Sequence, residues 1–413
     1  MANPLVSSIT APKGFKAAGG TCGIKASGQP DLALIVADSR CDAAGVFTRN
    51  AVKAAPVLVD RKHLSASGRT GRAILCNSGN ANGSTGQRGL DDARQMCQWV
   101  AQRLDCPVEE VYVCSTGIIG RLLPMKEIEA GIADLFPSLA AGAKADAAAA
   151  RAILTTDLAP KSARRTLKLG RARVELAGIC KGSGMIGPNM ATMLVFLTTD
   201  AAIESRLLQQ ALNQAIRATF NRISVDQHTS CSDTVLVLAS GQAQNTRIVR
   251  MARDFNTFTA ALTDLCRDLA YQIVRDGEGA TKVFRVAIRG ARSVVDADKV
   301  GRAITNSPLV KTAVHGSDPN WGRITTAAGY SGATLHPDRM TLTIGPAPGQ
   351  GICVFRHGQP TAQGLTPPAA LKKIMRAKDI SFTLDLGQGS INADWLGCDL
   401  SREYIRINAD YTT

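Results

Sequence analysis

Aromatic residues are scarce in this chain, at 4% of 413 positions, and that shortage limits what its basic balance can mean. A net charge of +14 would permit nucleic-acid binding, but the Lys and Arg residues are dispersed apart from short groups such as the one between Lys161 and Arg173. A solvated basic face that attracts anionic small molecules is the better expectation, with no nucleic acid as partner. Long apolar runs are missing too. None approaches the roughly 20 residues of a membrane-spanning helix, and the opening MANPLVSSIT carries no basic segment ahead of an apolar core. No membrane partner and a cytoplasmic location are therefore expected. Cys-x-x-Cys is absent and the 11 cysteines are an odd number, so reduced, mostly buried thiols are expected in place of disulfides or a zinc site. The 5 histidines offer few candidates for a Ser/His/Asp triad. Asp226 and His228 lie two residues apart in one loop, too close to span such a triad, and His228 is not expected to be catalytic.

What is there is ordinary globular material: 45% apolar and 20% charged residues, long enough for two or three cored domains. Short apolar runs at 32–36, 57–59 and 73–76 read as strands, as do 111–114, 171–177 and 193–197, while helical spacing marks 89–104, 125–135, 140–154, 203–220 and 255–274. The basic stretch after Asp157 reads as turns, and the tail from Trp395 as an alternating strand. Strands interleaved with helices give a mixed α/β protein.

One stretch places a hydroxyl between a flexible loop and an apolar run. Gly182, Gly184 and Gly187 permit positive φ, Pro188 fixes its own, and 193–197 reads as a buried strand, so Thr192 sits at a loop-to-strand junction. On spacing alone, a β-branched residue starting a strand is the commoner meaning. The small Ala191, however, leaves its carbonyl open to the Thr192 hydroxyl, and an N-to-O acyl shift would release Thr192 as an N-terminus. Its amine, with an ordinary pKa of about 7.7–8.0, can then serve as general base for its own hydroxyl. Thr116-Gly117 fits either an ordinary strand-to-helix turn or a pair of outward N–H groups. Thr155 and Thr156 fit a helix end, Lys181 an exposed loop cation or a carboxylate partner, and the glycine-flanked Glu278 an exposed acid or an ammonium partner.

The run Lys181-Gly-Ser-Gly-Met-Ile186 with Pro188-Asn-Met-Ala-Thr192-Met-Leu194 resembles the processing site of the ornithine acetyltransferase family, the glutamate N-acetyltransferases of the cyclic arginine pathway. Ala44-Gly-Val-Phe-Thr-x-Asn50 and Asn77-Ser-Gly-Asn-Ala-Asn82 are similar to the same family, and the likeness extends from Gly14 to Thr413. The resemblance implies a layered α/β/β/α sandwich with a second, smaller α/β domain, in a self-cleaved enzyme with an N-terminal threonine. It implies cleavage between Ala191 and Thr192 into products 1–191 and 192–413, two copies of each forming a heterotetramer. It further implies Thr192 as nucleophile, Thr116 and Gly117 as oxyanion hole, and Thr155, Thr156, Lys181, Thr192, Glu278, Asn408 and Thr413 as substrate contacts. His315 fits either a direct acid-base role or packing of its loop against the site, and packing is the preferred expectation. The implied reaction is ping-pong acetyl transfer from N2-acetylornithine to glutamate with no metal and no cofactor. Acetyl-CoA stays open as a second donor. Two other readings stand beside it: an N-terminal threonine amidase or peptidase of related architecture, and a basic nucleic-acid-binding protein.

Overall fold

The computed structural model describes residues 8–187 and 193–410. Ala191, Thr192 and Thr413 lie outside the described residues. The chain begins with β1 (Phe15–Gly20), β2 (Leu32–Phe47), α1 (Ala55–Ala66), β3 (Thr70–Asn80), α2 (Gly86–Leu104), β4 (Val111–Ile118), α3 (Met125–Leu135) and α4 (Ala143–Ala152). The hairpin β5 (Lys161–Leu169) and β6 (Ala172–Lys181) follows, then β7 (Leu194–Thr199), α5 (Ser205–Ala218), β8 (Ile223–Ser224), β9 (Thr234–Ala239) and α6 (Arg253–Arg275). Eight of these strands form one sheet in the order β4-β3-β2-β9-β7-β6-β5, with β1 paired to β2.

The 16-residue β2 explains how that sheet becomes two layers. Its first part pairs with β3 and its second with β9, and the register shifts between Val36 and Cys41, where Asp38, Ser39 and Arg40 are exposed. The strands alternate with a period of two, so each contributes to two cores. Ile35, Ile74 and Tyr112 from one half meet Phe196, Leu236 and Leu238 from the other in a shared interior. The alternate residues face outward onto helices. Leu34, Leu75 and Val113 pack with Met96 and Ile128, while Val195, Leu197 and Val237 pack with Leu212 and Leu262. The result is a mixed α/β protein with helix, strand, strand and helix layers.

The second unit comprises β10 (Val283–Ala291), α7 (Val294–Asn306), α8 (Pro308–His315), α9 (Trp321–Gly329), β11 (Thr341–Gly345), β12 (Ile352–Arg356), β13 (Gln359–Pro360), α10 (Ala362–Leu365), α11 (Ala369–Met375), β14 (Asp379–Asp385), β15 (Ile391–Cys398) and α12 (Arg402–Asp410). Its sheet runs β13-β12-β11-β14-β10-β15-β8 and packs Val286, Phe382 and Trp395 against Val300, Val310 and Ile324.

Three local expectations are corrected. The run 57–59 is helical: Pro56 stands in the first turn of α1, where its missing N–H costs nothing, and three apolar residues carry no period of their own. The basic stretch after Asp157 forms β5, an edge strand whose Leu167 and Leu169 are buried while Arg164 and Lys168 face solvent. The tail leaves the sheet at Cys398 and turns into α12, where Ser401 Oγ accepts the Glu403 N–H at 3.2 Å as a helix cap does.

Candidate functional site

Strand ends and loops converge on one cleft. Thr116 and Gly117 come from the end of β4, Thr155 and Thr156 from the segment after α4, Lys181 from the end of β6, Glu278 from the turn after α6 and Asn408 from α12. Every described residue assigned a site role from the sequence thus lines one space. Met193 stands at the entry to β7, so the undescribed junction is bounded by Gly187 on one side and a buried strand on the other.

Lys181 is not a loop cation. It ends β6, a strand paired on both sides, is 3% exposed, and its Nζ donates to Thr116 Oγ1 at 3.3 Å. Burial pulls its ammonium below the ordinary lysine value, against the attraction of Asp157. Thr116 and Gly117 lie within β4 and pair with Ser78 and Gly79 of β3, next to an irregularity in the ladder. Gly117 has φ +128°, and a Cβ there would overlap the Gly79 backbone, so only glycine fits.

Glu278 is 8% exposed. Its carboxylate accepts the Thr156 hydroxyl at 2.7 Å on one oxygen and the Asn408 amide at 2.9 Å on the other. Gly184 lets it come this close, since a Cβ there would overlap the carboxylate. These bonds separate two threonines that the sequence leaves equivalent: Thr156 orients Glu278, whereas the Thr155 N–H donates to Asp157 Oδ2 at 3.1 Å.

Beneath them lies a buried charge cluster that sequence reasoning missed. Lys161 Nζ bridges Asp157 Oδ1 at 2.6 Å and Asp276 Oδ2 at 2.5 Å, and Asp157 Oδ1 also accepts the Gly182 N–H at 2.6 Å. Burial alone would raise the Asp157 carboxyl, but Lys181 and Lys161 hold it down at about 2. The signal was present as Thr155-Thr156-Asp157 followed four residues later by a lysine. Tyr404 was also missed; it lines the cleft and its hydroxyl donates to Asp226 Oδ2 at 3.3 Å. Asp233 is buried, its Oδ1 accepts the Met193 N–H at 3.3 Å, and its Oδ2 has no partner among the described residues. Burial pushes its carboxyl well above the usual range.

His228 lines the rim with a largely exposed side chain. His315 stands outside the cleft, its Nδ1 2.7 Å from Asp399 Oδ2, where it packs the 281–282 segment through the hydrogen bonds Asp399 accepts from Thr281 and Lys282.

A cation and a carboxylate facing one cleft match the two charges of a free amino acid, and Gly117 brings backbone close to whatever lies between them; the layered fold and this cleft define an enzyme acting on small molecules. The chain belongs to the ArgJ family, whose model matches residues 16–413. It is an acyltransferase of arginine biosynthesis. The arginine biosynthesis bifunctional protein ArgJ of Symbiobacterium thermophilum is 45% identical over 415 residues, covering 99% of each chain. That of Synechocystis sp. is 44% identical over 413 residues, covering 98% of each. Among solved structures, the arginine biosynthesis bifunctional protein argJ of Bacillus halodurans is 40% identical with a TM-score of 0.49, covering 53% of this chain and 98% of that one. Among the described residues, no helix is long and apolar enough to cross a membrane.

Proposed function

We propose that this protein transfers an acetyl group from N2-acetylornithine to glutamate through an acetyl ester on Thr192, after cleaving itself between Ala191 and Thr192 into products 1–191 and 192–413. The observation that carries the reading is the meeting of Lys181, Glu278 and the Thr116-Gly117 pair in one cleft, beside the start of β7 at Leu194, which pairs with Lys181. Lys181 takes the amino-acid carboxylate. Glu278, held by Thr156 and Asn408, takes an ammonium group. The Thr192 hydroxyl attacks the acetyl carbonyl while its own α-amine accepts the hydroxyl proton. Thr116 and Gly117 stabilise the oxyanion. The C–N bond then breaks, the leaving ornithine nitrogen takes up the proton, and the acetyl ester remains. Glutamate enters with a neutral amine, attacks the ester carbonyl, and returns the hydroxyl to Thr192. Thr155 and the terminal Thr413 complete the substrate contacts. Two copies of each product form the assembly, in the cytoplasm.

Incubation with N2-acetylornithine alone tests this. The fragment beginning at Thr192 should gain one acetyl mass as ornithine is released, and added glutamate should remove that mass as N-acetylglutamate. Intersecting kinetics with no acetylated fragment would indicate direct transfer. Acetate release without glutamate would make the protein an amidase.

A further inference from the structure

One part of the cleft lining is polar and tied together by Glu278, Thr156 and Asn408. Another part presents apolar side chains, Ala81, Ile119 and Cys231, with Ser230 and Ser232 on either side of Cys231 and Gly117 two residues before Ile119. The backbone fixes this second group. The Ala81 N–H donates to Ile118 O at 2.9 Å and the Gly120 N–H to Gly83 O at 2.9 Å, so residues 81–83 run beside the end of β4. The Cys231 carbonyl accepts the Ala54 N–H at 2.9 Å. Gly83 closes the back, because a Cβ there would stand 3.1 Å from Cys231 Sγ and 3.6 Å from Ile119 Cγ2. Ala81 is 2% exposed and Cys231 7%, so only the tips of these side chains reach the cleft. These backbone bonds pin the walls of the space the three side chains bound.

We propose that Ala81, Ile119 and Cys231 form the acyl pocket of this enzyme and set acyl length, admitting the methyl of an acetyl group and rejecting longer chains. This inference rests on the acyl transfer proposed above. Near Gly117 in the same cleft as Glu278 and Lys181, the pocket receives the acyl carbon chain once the carbonyl oxygen lies at the Thr116-Gly117 pair and the amino-acid charges lie on the polar group. Cys231 acts here as a small hydrophobe: burial raises its thiol pKa, so it stays neutral. One methylene that a pocket cannot accommodate is worth about 10–200-fold in kcat/KM.

The test compares N2-propionylornithine with N2-acetylornithine as donors to glutamate, in the intact enzyme and in the variants Cys231→Ala and Ile119→Val. Either variant should raise the propionyl-to-acetyl ratio of kcat/KM by about tenfold or more. Cys266→Ala makes the same thiol-to-methyl change within α6, away from the cleft, and should leave the ratio at the parent value. Ile119 is half-buried, so its variant keeps the experiment decisive if Cys231→Ala fails to fold. A ratio within twofold of the parent in folded Ile119→Val and Cys231→Ala, with acetyl transfer intact, overturns the pocket assignment while leaving the proposed reaction standing. A parent enzyme that transfers no acetyl group to glutamate overturns the reaction itself and the pocket with it.

Discussion

Lys181 is a lysine nearly out of water, and burial is the main reason its ammonium is held less firmly than an exposed one. A depressed pKa means the positive charge is lost earlier as pH rises. If that charge holds the substrate carboxylate, KM for both amino acids should climb on the alkaline side at a pH below the ordinary lysine value of about 10.4. Lys181→Met should raise KM across the range and abolish this alkaline limb; a profile identical to that of the parent would remove Lys181 from substrate binding. The oxyanion assignment needs a different substitution from the obvious one. Gly117→Ala would drive a Cβ into the Gly79 backbone at a positive φ, so lost activity there would report a damaged sheet edge. Thr116→Val keeps the shape and deletes the hydroxyl that Lys181 Nζ approaches at 3.3 Å. Losing one oxyanion donor typically lowers kcat by ~10²–10³. A single-turnover rate that falls by that order with KM near the parent value supports the side-chain hydroxyl as donor. An unchanged rate leaves the role to backbone N–H groups.

At the scale of elements, the cluster around Lys161 joins the segment after α4, the start of β5, the end of β6 and the end of α6. It is the floor on which Thr155, Thr156 and Glu278 stand. Asp157→Asn would leave Lys161 with Asp276 as its remaining ionic partner among the described residues, and removing one member of a buried ionic cluster costs about 3–5 kcal/mol. The Asp157 carboxyl sits at about 2, below its unfolded value of about 3.9, so its stabilising contribution is present above pH ~4 and disappears as pH falls through ~2. The urea midpoint of the variant should therefore lie well below the parent's at pH 7, with the gap closing toward pH 2; a constant gap would mean lost packing instead of lost charge. This cluster also shows where sequence reading stops. Helical spacing in 89–104, 125–135 and 255–274 is long enough to carry its own period, and those elements appear as α2, α3 and α6. The run 57–59 is too short to distinguish strand from helix, and β5 hides its alternation under basic side chains because it is an edge. Glu278 and Asn408 were legible as family-like positions, but their mutual bond spans 130 residues and no local pattern announces it. Asp233 was missed for the same reason: its importance comes from burial beside Met193, which only the folded chain reveals.

At the scale of the molecule, the expected cleavage point does not fall between folding units. In the first sheet, β7 and β9 come from after Thr192, yet they lie between β2 and β6, which come from before Ala191. All 6 residues of β7 pair with β6, and all 6 residues of β9 pair with β2, from Asp42↔Ala239 to Phe47↔Thr234. The cores interlock as well: Val174 and Leu176 pack with Leu262 and Leu269 on one face, and Ile35 and Ile74 with Leu236 and Leu238 on the other. Cutting one peptide bond leaves every one of these contacts in place, because the ladder bonds and buried apolar area do not depend on chain continuity at the junction. The two products should therefore remain one body. Denaturing mass spectrometry should find fragments 1–191 and 192–413, while gel filtration without denaturant elutes them together and calorimetry records their first sheet melting as a unit. Expressed separately, each would expose strand edges and apolar faces that the other normally covers, so both should aggregate alone and recover structure only when refolded together. Fragments that separate under native conditions, or that fold independently, would contradict an interleaved sheet.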